Sequence, residues 1–325
     1  ANGSSSSSSS AGERPRVGID LGEPAESSAK WPTRRRPRRN RPDMARSWSP
    51  VGCRAAVTGG GSGIGRALCT ALAESGARSV LVLDIDLGAA EDAAAAITAL
   101  APRCEVCAVR CDATKEASLR AALLSGGPID CFCANAGIGA PGGCDAADAQ
   151  WQRCWELNVM QTVWAARLLL PSMRRSAGGG AFVVTASAAG LLTQLGSAPY
   201  AVTKHAAVAL AEWLAISHAD DGVRVVCCCP QAVQTPMLGD VGTDQAARAA
   251  AADGIIQPAH VAAEVLDCLR DGTFLCMPGG DAGPAKHLVR KSADRERWIR
   301  GMKRLQKRMR EAGPPSPTRP PKSRL

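Results

Sequence analysis

Between residues 53 and 280 the chain alternates short apolar runs with longer alanine-rich stretches of helical character. A short apolar run bounded by turn residues reads as a strand, and the stretch that follows it as a crossover helix. Repeated, the pair closes into a parallel sheet covered on both faces. The runs predict strands near 54–58, 80–84, 105–109, 129–133, 181–186, 223–229 and 273–277. Helices are predicted near 63–75, 88–99, 115–123, 148–174, 198–219 and 258–270. The fold class is therefore α/β, a doubly wound, Rossmann-like parallel sheet of about seven strands with helices on both faces. Strands continue to residue 277 with no linker, so residues 51–280 are expected to form a single domain. With 325 residues, 46% of them hydrophobic and 21% charged, the chain can fill one sizeable core.

The net charge of +9 first suggests a nucleic-acid or membrane partner, but it sits in the tails. Residues 1–50 hold ten Lys/Arg against five Asp/Glu, and residues 281–325 hold fourteen against four. The stretch between them carries fifteen basic and twenty-one acidic residues, so the body is acidic. The N-terminal segment contains seven consecutive serines and an arginine-rich stretch from Arg34 to Arg41, a composition that predicts disorder. Two readings of it stand side by side. Either Met44 is the true start and the upstream part is not mature protein, or residues 1–50 are an organellar targeting segment, in which Glu13, Asp20, Glu23 and Glu26 would be unusual. No run of 18 apolar residues occurs, so no membrane span is expected.

From Ser292 to Glu311, Trp298, Met302, Leu305 and Met309 recur at helical spacing among Arg and Lys. This predicts an amphipathic helix packed on its own body or on a neighbouring subunit, with peripheral membrane contact as the alternative. Asp294 and Glu296 near its start and Arg308 and Arg310 near its end suit the helix dipole.

Fourteen cysteines raise the question of disulfides or a metal. Cys53, Cys104, Cys107, Cys131, Cys133, Cys227, Cys228, Cys229 and Cys276 lie in or beside the predicted strands, where a free thiol acts as a small hydrophobe. No pair recurs with a second ligand pair at zinc spacing, so no metal is expected. Reduced thiols fit a cytoplasmic protein.

The first strand runs into Thr58-Gly59-Gly60-Gly61-Ser62-Gly63-Ile64-Gly65, and a helix follows. Glycines there permit a tight turn and let backbone approach a pyrophosphate at a helix N-terminus. The second strand ends in Asp84, nineteen residues after Gly65, where a carboxylate can hold both hydroxyls of an adenosine ribose and would repel a 2′-phosphate. NAD is therefore expected rather than NADP. Further on, Tyr200 and Lys204 stand four residues apart on one helix face, close enough for the ammonium to favour a phenolate. Tyr200 is the only tyrosine in the chain. Ser187 stands at the C-terminal end of a predicted strand, where open α/β sheets place their ligands.

The stretch TASAAGLLTQLGSAPYAVTK, with the earlier CANAG and WELNV, resembles the short-chain dehydrogenase/reductase family over about residues 53–280. The resemblance implies an NAD(H)-dependent oxidoreductase that interconverts a secondary alcohol and a ketone. It makes Tyr200 the acid/base, Lys204 the group that lowers its pKa and holds the nicotinamide ribose, and Ser187 the group that orients the substrate oxygen. It gives Asn158 a water-linked proton path to Lys204; a hydrogen bond within its own helix is the alternative. Asn135, Ala136 and Gly137 match the sheet-stabilising motif, with Ala134 in place of the more usual first asparagine. Asp112 corresponds to an acid that contacts adenine. Pro230, Val233 and Thr235 match the loop beside the nicotinamide, and Gln231 stands where glycine is usual.

A homodimer or homotetramer is expected, with no nucleic-acid partner. Leu191, Leu192, Leu195, Met237 and Leu238 are expected to line the pocket and to favour a hydrophobic alcohol or ketone. The rival reading is a catalytically silent NAD-binding scaffold, which would need only the glycine turn and Asp84.

Overall fold

The computed structural model describes residues 48–176, 179–238, 251, 254–279 and 284–311. The expectations for the N-terminal extension lie outside the described residues. Seven parallel strands form the main sheet: β1 Arg54–Thr58, β2 Ser79–Asp84, β3 Glu105–Arg110, β4 Cys131–Ala134, β5 Gly180–Thr185, β6 Val223–Cys228 and β9 Leu275–Cys276. Their order, β3-β2-β1-β4-β5-β6-β9, reverses direction between β1 and β4. That is the switch point at which a doubly wound sheet opens a crevice at the carboxyl ends of its strands. Two short strands absent from the sequence reading, β7 Ala232–Val233 and β8 Ile255–Ile256, pair with each other in parallel.

Because side chains alternate along a strand, the sheet feeds two cores. Ala55, Val57, Val80, Val82, Cys131 and Cys133 face one side, under Leu68 and Leu72 of α1 (Gly63–Glu74), Ile97 of α2 (Leu87–Leu100) and Val265 and Leu269 of α8 (Pro258–Asp271). Ala56, Leu81, Leu83, Phe132 and Phe182 face the other. There they meet Leu119 and Leu123 of α3 (Glu116–Ser125), Leu169 and Met173 of α5 (Gln161–Met173) and Ala207 and Leu214 of α7 (Ala198–Ser217). β3 is an edge strand, and this corrects one cysteine: Cys107 is exposed. The other strand cysteines are buried and free. Among the described residues no cluster of His, Cys, Asp and Glu could hold a metal, and no helix is long and apolar enough to cross a membrane.

The helix expected over 148–174 is continuous in direction but not in type. α4 (Asp148–Trp155) passes through one π turn, Glu156–Met160, into α5. The C-terminal helix is also divided. α9 (Ala285–Ala293) ends at Asp294, which then caps α10 (Arg295–Glu311) by accepting the Arg297 N–H at 2.8 Å on Oδ1. Trp298, Met302 and Leu305 are half-buried and the Arg297, Arg300, Lys303 and Arg304 side chains are exposed.

Phe132 and Phe182 are register partners on β4 and β5, both fully buried, with ring centroids 5.2 Å apart. Phe182→Ala should therefore cost about 3–5 kcal/mol of unfolding free energy, read from the urea midpoint at unchanged slope. A loss below about 1 kcal/mol would show that this ring pair does not hold the centre of the sheet.

Candidate active site

The glycine turn between β1 and α1 is shaped by close backbone approach. Gly59 has φ +64° and Gly63 φ +52°, and a Cβ on Gly65 would stand 2.0 Å from the Gly59 carbonyl oxygen. Such a cradle, at the open N-terminus of a helix, fits a pyrophosphate. Ser62 is the exposed N-cap of α1 and makes no side-chain cap, and Ile64 leans on the core. Asp84, at the end of β2, accepts the Gly61 N–H on Oδ2 at 2.9 Å and the Asp86 N–H on Oδ1 at 3.1 Å. The carboxylate is thus held against the turn, and no cation pairs with it among the described residues.

Asp112 follows β3. Its carboxylate accepts the Thr114 hydroxyl at 2.6 Å and pairs with Lys115 at 3.2 Å. Those contacts, the Thr114 hydrogen bond first, hold its carboxyl below the usual range.

Thr58 ties the turn to the far side of the crevice. Its hydroxyl accepts the N–H groups of Asn135 and Ala136, both at 3.0 Å, and stands 2.8 Å from Gln161 Oε1, to which it donates. Asn135 Nδ2 donates to the Thr58 carbonyl at 3.0 Å. Gln161 Nε2 donates to the carbonyls of Ala136 and Leu157, closing a buried network between β1, β4 and α5. Thr58 and Gln161 were not singled out from the sequence. A glutamine two residues after WELNV, in a mostly apolar helix, is the only local signal.

On the other side of the crevice the backbone N–H groups of Ala186 and Ala188 donate to the carbonyls of Cys228 and Pro230, each at 2.8 Å. Ser187 is thereby fixed just beyond β5, and its Oγ accepts the Ala189 N–H at 3.1 Å. α7 brings Tyr200 and Lys204 to the same place. The Lys204 ammonium lies 5.6 Å from the Tyr200 ring centroid while donating to the Thr185 carbonyl at 2.9 Å. Burial pushes the Tyr200 phenol above its ordinary value, with the Ser187 hydroxyl pulling the other way. Burial pulls Lys204 down to about 8.

Burial outweighs the Ser187 hydroxyl in setting the phenol, and Lys204 sits over its ring. Asn158, within the π turn, makes no side-chain bond within its own helix. It accepts the Ile138 N–H at 3.0 Å and donates to the Ile138 carbonyl and to Thr203 Oγ1, both at 2.9 Å. It thus pins the segment after β4 to α7. Thr203, fully buried between Tyr200 and Lys204 in the chain, is a further member of this network that the sequence reading passed over. Gly137 is where the groups converge: a Cβ there would lie 3.1 Å from Asn158 Oδ1 and 3.2 Å from Lys204 Nζ.

Pro230 and Val233 are buried below the crevice, and the Thr235 Cγ2 methyl would meet a Cβ on Gly63 at 2.9 Å, so this loop touches the glycine turn. The apolar residues expected around the pocket are dispersed. Leu192 is buried, Leu191, Leu195 and Leu238 are half-buried, and Met237 is 57% exposed. The arrangement as a whole offers a phenol, a hydroxyl and an ammonium at one edge of the sheet, opposite a phosphate-shaped turn.

Residues 54–246 match the family model described as short chain dehydrogenase. A short-chain dehydrogenase of Aspergillus ruber is 37% identical over 207 residues, 56% of this chain and 75% of that protein. The L-sorbose reductase of Gluconobacter frateurii, solved with NADPH and L-sorbose, is 26% identical with a TM-score of 0.65, over 72% of this chain and 98% of that one. The 3-ketoacyl-(acyl-carrier-protein) reductase of Brucella melitensis, solved with NADH, is 27% identical with a TM-score of 0.63, over 72% of this chain and all of that one. With the crevice, the glycine cradle and the Ser187, Tyr200 and Lys204 cluster in register with that match, the chain belongs to the short-chain dehydrogenase family of oxidoreductases.

Proposed function

We propose that this oxidoreductase uses NAD(H) and interconverts a hydrophobic secondary alcohol and its ketone, with Tyr200 as the acid/base. The observation that carries the reading is the convergence of Ser187, Tyr200 and Lys204 beyond β5, a set that a nucleotide-binding scaffold would not need. Gly59, Ser62, Gly63, Ile64 and Gly65 would face the pyrophosphate, Asp84 the adenosine ribose and Asp112 the adenine. Asn135, Ala136, Gly137, Pro230, Val233 and Thr235 would flank the nicotinamide end. When bound, the nicotinamide supplies the redox chemistry.

The chain's own groups handle the oxygen and its proton. Tyr200, a phenol protonated at neutral pH and raised further by burial, donates to the carbonyl oxygen in reduction and takes the proton back in oxidation. Ser187 holds the same oxygen by a hydrogen bond. Lys204, kept charged below about pH 8, offsets the negative charge that grows on the phenol as its proton leaves.

Four outcomes follow. Because the Asp84 carboxylate would oppose a 2′-phosphate, NADH should bind at least about ten-fold more tightly than NADPH, roughly 1.4 kcal/mol, in a fluorescence titration. Equal affinities would remove the ribose assignment, and Asp84→Ala should narrow the gap. Tyr200→Phe should lower turnover by about 10²-fold or more at nearly unchanged NADH affinity; an active variant would refute the acid/base role.

The pH dependence of reduction should be flat below about pH 8 and fall above it as Lys204 loses its proton, measured as NADH consumption with a ketone that the parent turns over. The fourth outcome concerns stability. An unfolded chain keeps this lysine near 10.5, so between about 8 and 10.5 it binds more protons than the folded protein, and stability rises with pH through that window. Below it the folded state carries the full cost of a buried ammonium. Lys204→Met should therefore abolish turnover yet raise unfolding free energy at pH 7 by about 1–3 kcal/mol, and a destabilised variant would show the burial cost to be offset elsewhere.

A further inference from the structure

Two residues beyond Ser187 begins a one-turn helix, α6 (Ala189–Leu192), whose two ends are held very differently. At its start the Ala189 N–H is taken by Ser187, and the helix lies so close to α7 that a Cβ on Gly190 would stand 2.4 Å from the Lys204 carbonyl oxygen. At its end Thr193 has φ 92° and ψ 151°. That region is occupied almost solely by glycine, and a β-branched residue there costs about 1–3 kcal/mol unless its surroundings over-determine it. It is the sole non-glycine residue with positive φ among the described residues.

A helix this short leaves its last carbonyls without partners of its own. Within α6 the Ala188 carbonyl is taken by Leu191 and Leu192, and that of Ala189 by Thr193. The Leu191 carbonyl is met from outside the sheet-forming body. Lys291, one hundred residues further along the chain and on α9, donates to it from Nζ. Lys291 is 7% exposed and is the one buried residue of α9, and α9 packs directly on α6. Lysine is almost never buried on a surface helix without a partner, and a cation at a helix C-terminus meets both the free carbonyl and the negative end of the dipole. The lysine thus closes the far end of the segment that begins at Ser187.

We propose that Lys291 is a positioning residue for substrate. By capping α6 it fixes the short helix that starts two residues after Ser187 and carries Leu191 and Leu192, and it makes α9 part of the apparatus that selects the ketone. The substrate half of this statement rests on the reductase reading above; the capping half does not. The residue touches neither reacting atoms nor the glycine turn, so its effect falls on the apolar part of the substrate and leaves cofactor binding alone.

Two measurements on the full chain separate these halves, using Lys291→Met, Lys291→Gln, which keeps a neutral donor, and Lys291→Arg, which keeps the charge. In hydrogen exchange, peptides covering 188–196 should exchange at least about ten-fold faster in Lys291→Met than in the parent, with α1 unchanged, and Lys291→Arg should restore most of the protection. With NADH and 2-octanone as probe, Lys291→Met should raise the ketone KM by about five-fold or more, with kcat within about two-fold and the NADH KM unchanged, and Lys291→Arg should recover the parent value.

Unchanged exchange at 188–196 would overturn the capping role. Equal changes in the NADH and ketone constants would overturn the positioning role and make Lys291 a general stabilising contact. Should Lys291→Met not fold, the same comparisons between Lys291→Gln, Lys291→Arg and the parent decide the matter with the same expected directions. Faster exchange in a protein whose parent form reduces neither 2-octanone nor any shorter 2-ketone would overturn the substrate role together with the ketone reading.

Discussion

At the point where β1 and β4 part, one hydroxyl holds the two halves of the sheet together. Thr58 stands last on β1, and its Oγ1 takes the N–H groups of Asn135 and Ala136 just beyond β4 while giving its own proton to Gln161 on α5. A parallel sheet that reverses its winding must leave the carboxyl ends of the two central strands apart, and the backbone groups exposed there need partners. Water could serve them in an open cleft, but in this protein the partners are side chains, Thr58 and Gln161 buried and Asn135 half-buried. The crevice is thereby given a fixed width on the side away from solvent. Everything that approaches the cleft from above, the Gly59 turn and the Asn135 segment alike, takes its position from that network.

The opposing wall depends on a different compromise. Lys204 lies 3% exposed with one hydrogen bond, to the Thr185 carbonyl, while the Thr185 hydroxyl beside it is buried with no hydrogen-bond partner. A packed core built for stability alone would place neither group there, since each carries a desolvation cost that its contacts only partly return. The same arrangement keeps Tyr200 protonated and Lys204 charged at neutral pH, the pair of states that proton donation to a carbonyl requires. Around it the body is packed with small side chains. Ala165, Ala207 and Ala211 let α5 and α7 close on the sheet, and thiols such as Cys227 and Cys228 fill strand positions that a leucine would overfill. The Cys229 thiol and then burial raise Cys227, and against a lowering contact with Cys276 burial raises Cys228, so both pack as small hydrophobes.

What was legible in the sequence is what is settled locally. The alternation of apolar runs with alanine-rich stretches follows from residues within a few positions of one another, and each of the seven main strands lies within a few residues of its predicted place. The glycine turn and the Tyr200 and Lys204 pair are equally local, one a backbone requirement and the other a helix spacing. Cys107 was misread because an edge strand and a central strand of this type show the same local pattern; only the order of the sheet separates them. The direction of the Tyr200 shift was also out of reach, since it depends on how much of the crevice covers the ring.

The remaining features depend on partners far away in the chain, and this determines where local reasoning stops. Gln161 is 103 residues from Thr58, Asn158 is 45 from Thr203 and Lys291 is 100 from Leu191. Each is a polar side chain whose local surroundings would suit solvent or an ordinary helix face equally well, and each is buried only because another element arrives to meet it. The π turn at Glu156–Met160 belongs with them. One extra residue in that turn changes which side chains the helix presents to the crevice, so Asn158 reaches Ile138 and Thr203 while Gln161, starting the next regular segment, reaches Ala136. A uniform α-helix over 148–174 could not aim both amides in this way. The insertion is therefore the local irregularity that lets a single helix serve two separate networks, one under the glycine turn and one under Tyr200.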